Sequence, residues 1–328
     1  MNNQDILYNY ILDAKKTLRL LITKQCNLKC AYCYEEGIEK STNTTLQKLD
    51  LNDFKNIILA AKKLGVYRVS FSGGEPTLYS AWLDELISLC QKLGIISTVT
   101  TNGLSSEIIK LAQKYPTLNI RVSLDFANQA DYSFYKGVNA FDKVVSNLKE
   151  LIKLPNPINI NRIVFSLDNE WEEFNKMIDF LVKNKLNKDN IYLKLLPSYP
   201  NDTFNKLSTN KLHHYFINRG VSFKNKHDEL RNKNKPFFEY RGVKVIIQNR
   251  GVYSPKCCIS NENRCTEGIG SVRVNPNGLI QPCLGTKLGF ILHNNTVDAI
   301  SAKLKESHDF LDSLYISECS IVGDLLNI

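Results

Sequence analysis

Three cysteines, Cys26, Cys30 and Cys33, stand at C-x3-C-x2-C spacing in the run Thr23-Lys-Gln-Cys-Asn-Leu-Lys-Cys-Ala-Tyr-Cys-Tyr34. Thiolates this close cannot staple a fold, but they can converge on one metal centre, and soft sulfur favours iron–sulfur clusters or zinc. Zinc sites usually close with four ligands. Three thiolates without a nearby histidine instead suit a cubane [4Fe–4S] cluster whose fourth iron stays open to a small molecule. A second motif is Ser72-Gly-Gly-Glu-Pro76. Its paired glycines let backbone approach a ligand closely, and its carboxylate can pair with an ammonium group. A second cysteine set follows much later: Cys257, Cys258, Cys265, Cys283 and Cys319. Between Cys265 and Cys283, Pro276-Asn-Gly278 is a turn signal joining two strand-like arms, which predicts a β-hairpin returning Cys283 towards Cys265. Cys257 or Cys258 could add a third thiolate and Cys319 a fourth, for an iron–sulfur cluster or a structural zinc. Cys90, in the apolar helical stretch 83–93, reads as a core residue.

These residues need a scaffold. From Leu18 onwards, short β-branched runs alternate with amphipathic stretches. Strands are predicted at Leu18–Thr23, Val66–Ser72, Ile95–Thr100, Leu118–Leu124, Ile158–Phe165 and Ile191–Leu196. Helices are predicted near Asn52–Gly65, Ala81–Leu93, Glu107–Lys114, Ala140–Lys153 and Glu170–Lys185. Repeated strand–helix units with short joins argue for parallel strands with right-handed crossovers. About six units are visible, fewer than the eight of a closed barrel. The cysteine loop directly follows the first strand, at the strand end where such folds gather their chemistry. After Pro197 the periodicity fades into a polar segment to Pro236. Strand-like pieces then recur at Arg241–Asn249 and Ser271–Asn275, with a last amphipathic helix near Thr296–Asp312. The expected layout is a barrel domain over 1–200, a linking segment over 201–236 and a small cysteine-rich domain over 237–328.

Composition narrows the function classes. The chain has 328 residues, enough for one α/β barrel and an appendage, and its 43% hydrophobic content suffices for a sizeable core. No apolar run approaches a membrane span, and Met1-Asn-Asn-Gln-Asp lacks the layout of a secretory signal. Of nine cysteines, seven cluster at 26–33 and 257–283, which points to metal thiolates in a reducing cytoplasm. The net charge of +9 comes from scattered lysines. The one basic stretch, Lys224 to Lys235, contains acidic residues and no interleaved aromatics, so it reads as a solvated loop or helix face. Neither membrane nor nucleic acid is indicated as a partner.

The cysteine spacing resembles the signature of the radical S-adenosylmethionine (radical SAM) superfamily. That resemblance implies a partial (β/α)6 TIM-type barrel of the α/β class. It also implies a [4Fe–4S] cluster on Cys26, Cys30 and Cys33 whose open iron chelates the methionine end of SAM. An electron from the cluster then releases a 5′-deoxyadenosyl radical. Gly73, Gly74, Glu75 and Pro76 match the segment that binds the methionine amino group, and Tyr32 matches an aromatic packed near adenine. Thr101, Asn102 and Ser123, at the ends of the third and fourth strands, would contact SAM's carboxylate or ribose; helix capping or turn chemistry explains them equally well. The later cysteines resemble a twitch or SPASM domain holding an auxiliary [4Fe–4S] cluster. Cys258, Cys265, Cys283 and Cys319 are its expected ligands, and the short cysteine count favours the one-cluster twitch form.

Over the whole chain, the GTP 3′,8-cyclase family of molybdenum cofactor biosynthesis is the nearest resemblance. Arg19 and Arg273 match arginines of that family's active site. The departures are specific. After Cys265 comes Thr-Glu-Gly-Ile-Gly-Ser271 in place of the family's Asn-Arg-x-Arg, the double-glycine tail is absent, and expected cations appear only in part, as Arg68 and Lys194. A triphosphate needs several cationic donors at once. The expectation is therefore a radical SAM enzyme that abstracts a hydrogen atom from a metabolite or peptide, with the auxiliary cluster assisting oxidation or bond formation and flavodoxin or ferredoxin as electron donor. A GTP 3′,8-cyclase-like enzyme is the alternative. An iron–sulfur electron carrier or scaffold would explain the cysteines but not Gly73–Pro76.

Overall fold

The computed structural model describes residues 12, 15–33, 48–198, 207, 209–228, 233–248, 271–282 and 290–316. In chain order the elements are β1 (Thr17–Thr23), α1 (Leu51–Lys63), β2 (Arg68–Gly73), a 3-10 turn (Pro76–Tyr79), α2 (Ser80–Lys92), β3 (Ile96–Thr101), α3 (Glu107–Lys114), β4 (Asn119–Ser123) and α4 (Gln129–Lys136). Then come α5 (Phe141–Leu151), β5 (Ile158–Val164), α6 (Glu170–Lys183), β6 (Ile191–Pro197), α7 (Thr209–Ile217), β7 (Lys224–Asp228), β8 (Lys233–Tyr240) and β9 (Val243–Ile247). β10 (Val272–Val274), β11 (Leu279–Gln281), β12 (Phe290–Ile291) and α8 (Val297–Ile316) complete the described chain. It divides into two compact units, 1–26 with 35–99 and 251–328, and 27–34 with 100–250.

The first unit orders its strands β12-β11-β10-β1-β2-β3. β10, β1, β2 and β3 run parallel, while β10, β11 and β12 run antiparallel. Side chains of a strand alternate between its two faces. One face here carries Leu18, Leu20, Val69, Phe71, Val99, Val272 and Val274, all at most 2% exposed. The opposite face is polar, and a single register line on it reads Gln281, Arg273, Arg19, Ser70, Thr98 across five strands. α1 begins with a reciprocal cap: Asp53 N–H donates to Asp50 Oδ1 at 2.9 Å, and Asp50 N–H donates to Asp53 Oδ2 at 2.8 Å. Its Phe54, Ile57, Ile58 and Ala61 then form the apolar stripe that packs into the core.

The second unit orders its strands β4-β5-β6-β9-β8-β7. β4, β5, β6 and β9 are parallel, and β9, β8 and β7 antiparallel. A bidentate ion pair fastens α6 to the sheet: Arg162 of β5 reaches Glu170 at 2.5 and 3.0 Å, with both side chains buried. Burial pushes the Glu170 carboxyl up, against the pull of the Arg162 charge. Trp171, Phe174, Phe216 and Phe238 form an aromatic core where α6 and α7 meet β8.

The first six strands and the helices between them fall within about two residues of their expected limits. The hairpin around Pro276–Gly278 also forms, with Arg273 opposite Gln281 and Val274 opposite Ile280. One expectation needs correction and one element was not foreseen. In the basic stretch from Lys224 to Lys235 the described residues are strand, not loop or helix face: 224–228 belong to β7 and 233–235 to the start of β8, paired antiparallel. Pairing of β8 with the apolar strand β9 overrides the weak local strand signal. Helix α4, between the fourth strand and α5, was not expected at all.

Candidate active site

Within the first unit, the chain leaving β1 is bound to the Gly73–Glu75 segment. Gly74 N–H donates to Thr23 O at 2.7 Å, and Glu75 N–H donates to Gln25 O at 2.8 Å. This approach requires glycine. Gly73 has φ +132°, and a Cβ on either Gly73 or Gly74 would overlap the backbone carbonyl oxygens of Thr23 or Gln25. Glu75 is 1% exposed, and its Oε1 accepts from Thr77 N–H at 3.0 Å and Thr77 Oγ1 at 2.6 Å, capping the turn that Pro76 starts. The segment thus sets the path of the residues that lead into Cys26.

Arg19 and Arg273 lie in the same unit, as direct register partners on the parallel strands β1 and β10. Neighbouring positions in register share a face, so both guanidinium-bearing residues belong to the polar line with Ser70, Thr98 and Gln281. Arg273 is buried and Arg19 half-buried. Near them Asn275 donates from Nδ2 to Gln281 Oε1 at 3.0 Å. The Ser70 and Ser72 hydroxyls and Asn275 Oδ1 are buried with no hydrogen-bond partner among the described residues.

In the second unit, Asn102 Nδ2 donates to Asn27 Oδ1 at 2.7 Å, tying the end of β3 to the cysteine loop. Asn102 Oδ1 accepts from Leu104 N–H and Thr101 Oγ1 accepts from Gly103 N–H, each at 3.0 Å. Both residues therefore carry turn bonds in this structure. Ser123 ends β4 in register with Asn161 and, beyond it, Lys194. Asn161 is buried, and its Oδ1 lacks a partner among the described residues; no sequence motif marked it.

Tyr32 is buried and donates its hydroxyl to Asp125 Oδ2 at 2.5 Å. The same oxygen receives Lys136 Nζ at 2.6 Å, and Asp125 Oδ1 accepts from Ile163 N–H at 2.8 Å. Burial and the Asp125 charge raise the Tyr32 phenol far above its ordinary range, so it stays a neutral donor. Burial alone would lower the Lys136 ammonium, but the charges of Asp125 and Cys30 and the hydrogen bond to Asp125 together raise it. The Tyr32 ring packs edge-on against Phe165 at 4.9 Å, and Phe126 stacks on Tyr135 of α4 at 4.7 Å. Neither Asp125 nor Lys136 was marked as a site residue from sequence. The Ser123-Leu-Asp125 run contained the signal, but the role of Asp125 depends on α4, whose polar pattern hides it.

The donor chemistry suits an iron–sulfur cluster. Cys26, Cys30 and Cys33 stand on one loop, with Cys26 and Cys33 exposed and Cys30 half-buried, and none is spent in a disulfide. Among the described residues no three His, Cys, Asp or Glu side chains already stand together as a metal site. The second set, Cys257, Cys258, Cys265, Cys283 and Cys319, lies outside the described residues. Among those described, no helix is long and apolar enough to cross a membrane.

Residues 20–181 match the family described as the radical SAM superfamily. A probable GTP 3′,8-cyclase of Methanosarcina mazei is 26% identical over 96% of this chain and 90% of its own length. One from Pyrococcus horikoshii is 30% identical, with the match spanning 49% of this chain and about half, 50%, of that relative. Among solved structures, SuiB of Streptococcus suis bound to precursor peptide SuiA superposes with TM-score 0.62 at 19% identity, over 90% of this chain and 67% of SuiB. A SuiB structure bound to S-adenosylmethionine gives 0.59. The shared architecture is consistent with the partial barrel that the radical SAM resemblance implies. Residues 20–181 are thus a radical SAM domain, of a family that binds a [4Fe–4S] cluster and SAM.

Proposed function

We propose that this chain abstracts a hydrogen atom from an anionic small-molecule or peptide substrate whose charge is held by Arg19 and Arg273. The observation that carries the reading is their pairing in register on one polar strand face. Two planar guanidinium groups side by side can each fork to a carboxylate or phosphate. Cys26, Cys30 and Cys33 are the proposed cluster ligands. Gly73, Gly74, Glu75, Pro76, Tyr32, Thr101, Asn102 and Ser123 are the proposed SAM contacts. When bound, the cluster and SAM supply one-electron cleavage of a C–S bond, which yields a radical able to attack an unactivated C–H bond. The rest falls to the protein: Gly73–Glu75 fixes the chain entering the cysteine loop, and the arginine pair orients the target. Cys258, Cys265, Cys283 and Cys319 would hold an auxiliary cluster in a domain over 237–328, joined through 201–236 to a barrel over 1–200. Flavodoxin or ferredoxin is the proposed electron source.

A GTP 3′,8-cyclase-like reaction is the second reading. It is favoured by relatives of that name, one of them matched over 96% of this chain. The substitution of Ser271 within the auxiliary motif weighs against it, because it leaves fewer cations for a triphosphate. One incubation separates the two: anaerobic iron-loaded protein with SAM, reductant and GTP. Formation of a cyclised nucleotide makes the cyclase reading correct. If GTP neither binds nor changes the yield of 5′-deoxyadenosine, the metabolite or peptide reading stands. If no reductant or substrate yields 5′-deoxyadenosine, both fail.

A further inference from the structure

The second unit buries a lysine beside the cysteine loop. Lys136 is 2% exposed and Asp125 4%. Buried ion pairs rarely add stability over a well-packed apolar replacement, because desolvation of both charges offsets their attraction. A pair kept in such a place invites another explanation, and its surroundings supply one.

Everything around the pair converges on residues 29–32. Ala31 N–H donates to Tyr135 O at 2.9 Å and Lys29 N–H to Lys136 O at 3.3 Å, so the last turn of α4 serves as the backbone anchor of the loop. Gly137 ends α4 at φ +73°, and a Cβ there would come within 3.3 Å of Lys29 O. Left-handed backbone and close approach thus coincide at a glycine. Tyr32 is tied to Asp125 through its hydroxyl, and Lys136 lies over the Tyr32 ring at 5.1 Å. Cys30 itself stands between Lys29 and Ala31, the two residues whose amides bond to the Lys136 and Tyr135 carbonyls.

We infer that Asp125 and Lys136 are positioning residues for the cysteine loop: with Tyr32 they fix residues 29–32, and they hold one positive charge beside Cys30 that sets the reduction potential of a cluster ligated there. The inference rests on the reading of Cys30 as a cluster ligand. Its physical basis is that a cation in a low-dielectric setting favours the more negative, reduced form of a nearby cluster and so raises its potential. The Asp125 carboxylate acts in the opposite sense, so the field at the cluster is the difference between the two charges; the Tyr32 hydroxyl and the Ile163 amide, by donating to that carboxylate, lessen its share.

The test is a redox titration of the iron-loaded full chain followed by electron paramagnetic resonance. Lys136→Met should lower the midpoint enough to change the reduced-to-oxidised ratio at a fixed potential about tenfold, or ~59 mV for a one-electron couple. Lys136→Arg, which keeps the charge, should restore most of it. An unchanged potential in Lys136→Met with iron content intact overturns the proposal. Should that variant fail to fold, Lys136→Gln, which removes the charge but keeps a donor towards Asp125, takes its place in the same titration. Amide hydrogen exchange at residues 29–32, measured with and without iron, separates this idea from the one beneath it. A chain that binds no iron sinks the cluster reading alone; in that iron-free chain, exchange that Lys136→Met fails to accelerate overturns the positioning role.

Discussion

In the second unit the Asp125 carboxylate receives the Tyr32 hydroxyl, the Lys136 ammonium and the Ile163 amide. In the first unit the Ser70 and Ser72 hydroxyls and Asn275 Oδ1, buried to a similar depth, have no partner among the described residues. A buried polar network whose members satisfy one another rigidifies what surrounds it. A buried polar atom without a partner is costly in isolation, and a bound ligand is one way to offset that cost. The contrast is between these two groups of residues and not between the units, since Asn161 Oδ1 of the second unit also lacks a partner among the described residues. The Asp125 cluster shapes the loop that carries Cys30, while the strip beside Arg19 and Arg273 is where the proposed function puts the substrate's charge.

The largest effect should come from the thiols themselves. Cys30→Ala is expected to reduce iron per chain and to bring 5′-deoxyadenosine formation to background. The iron-free chain's thermal midpoint should move far less than in Asp125→Ala, because the Asp125, Lys136 and Tyr32 contacts that hold the loop remain. If this variant makes as much 5′-deoxyadenosine as the parent, the cluster reading is lost. Asp125→Ala should do the reverse. It strands a buried ammonium and a phenol, a class of change that destabilises by about 3–5 kcal/mol. Urea unfolding of the iron-free chain measures it, and a loss below about 1 kcal/mol would mean that the network is not the scaffold described here.

How much of this was legible in the sequence follows the same line. Elements with strong periodicity, such as β1 with its buried Leu18 and Leu20, or α1 with its Asp50 cap, declare themselves locally. The Gly73–Pro76 segment was legible because paired glycines have few other uses at a strand end. Arg19 and Arg273 were found by resemblance, but their adjacency was not: 254 positions of separation (273 − 19) become one register step only when β10 joins β1 in parallel. Asp125 and Lys136 escaped notice because neither stands in a cysteine or glycine motif. Their meaning comes from α4, whose sequence Gln129-Ala-Asp-Tyr-Ser-Phe-Tyr-Lys136 lacks an apolar stripe. Strands β7 and β8 were missed because partner pairing, rather than local composition, makes them strands.

The arginine pair offers a test of intermediate size. Arg273→Gln in the iron-loaded chain should weaken binding of an anionic ligand about tenfold or more, in line with the ~1.5–3 kcal/mol attached to a charge-assisted hydrogen bond. GTP and inorganic pyrophosphate are suitable probes, with calorimetry as the readout. Iron content and 5′-deoxyadenosine formation without substrate should stay near the parent's values, because Arg273 sits on the strip and not among the proposed cluster ligands. Equal affinity in parent and variant for both probes would remove Arg273 from substrate binding.

The smallest effect is the most discriminating. Ser70 stands in register beside Arg19, is buried, and keeps a hydroxyl with no partner among the described residues. If that hydroxyl waits for a ligand, Ser70→Ala removes nothing from the folded chain. Unfolding free energy should then change by less than about 0.5 kcal/mol or rise slightly, since an unsatisfied buried group has been deleted. Affinity for the anionic probe should nevertheless drop a few-fold, the ~0.5–1.5 kcal/mol of one neutral hydrogen bond. Asp125→Ala and Ser70→Ala are thus expected to differ in sign of emphasis, one felt in stability and the other in binding. A Ser70→Ala chain that unfolds easily and binds normally would erase the distinction between the two regions, because its hydroxyl would then belong to the scaffold.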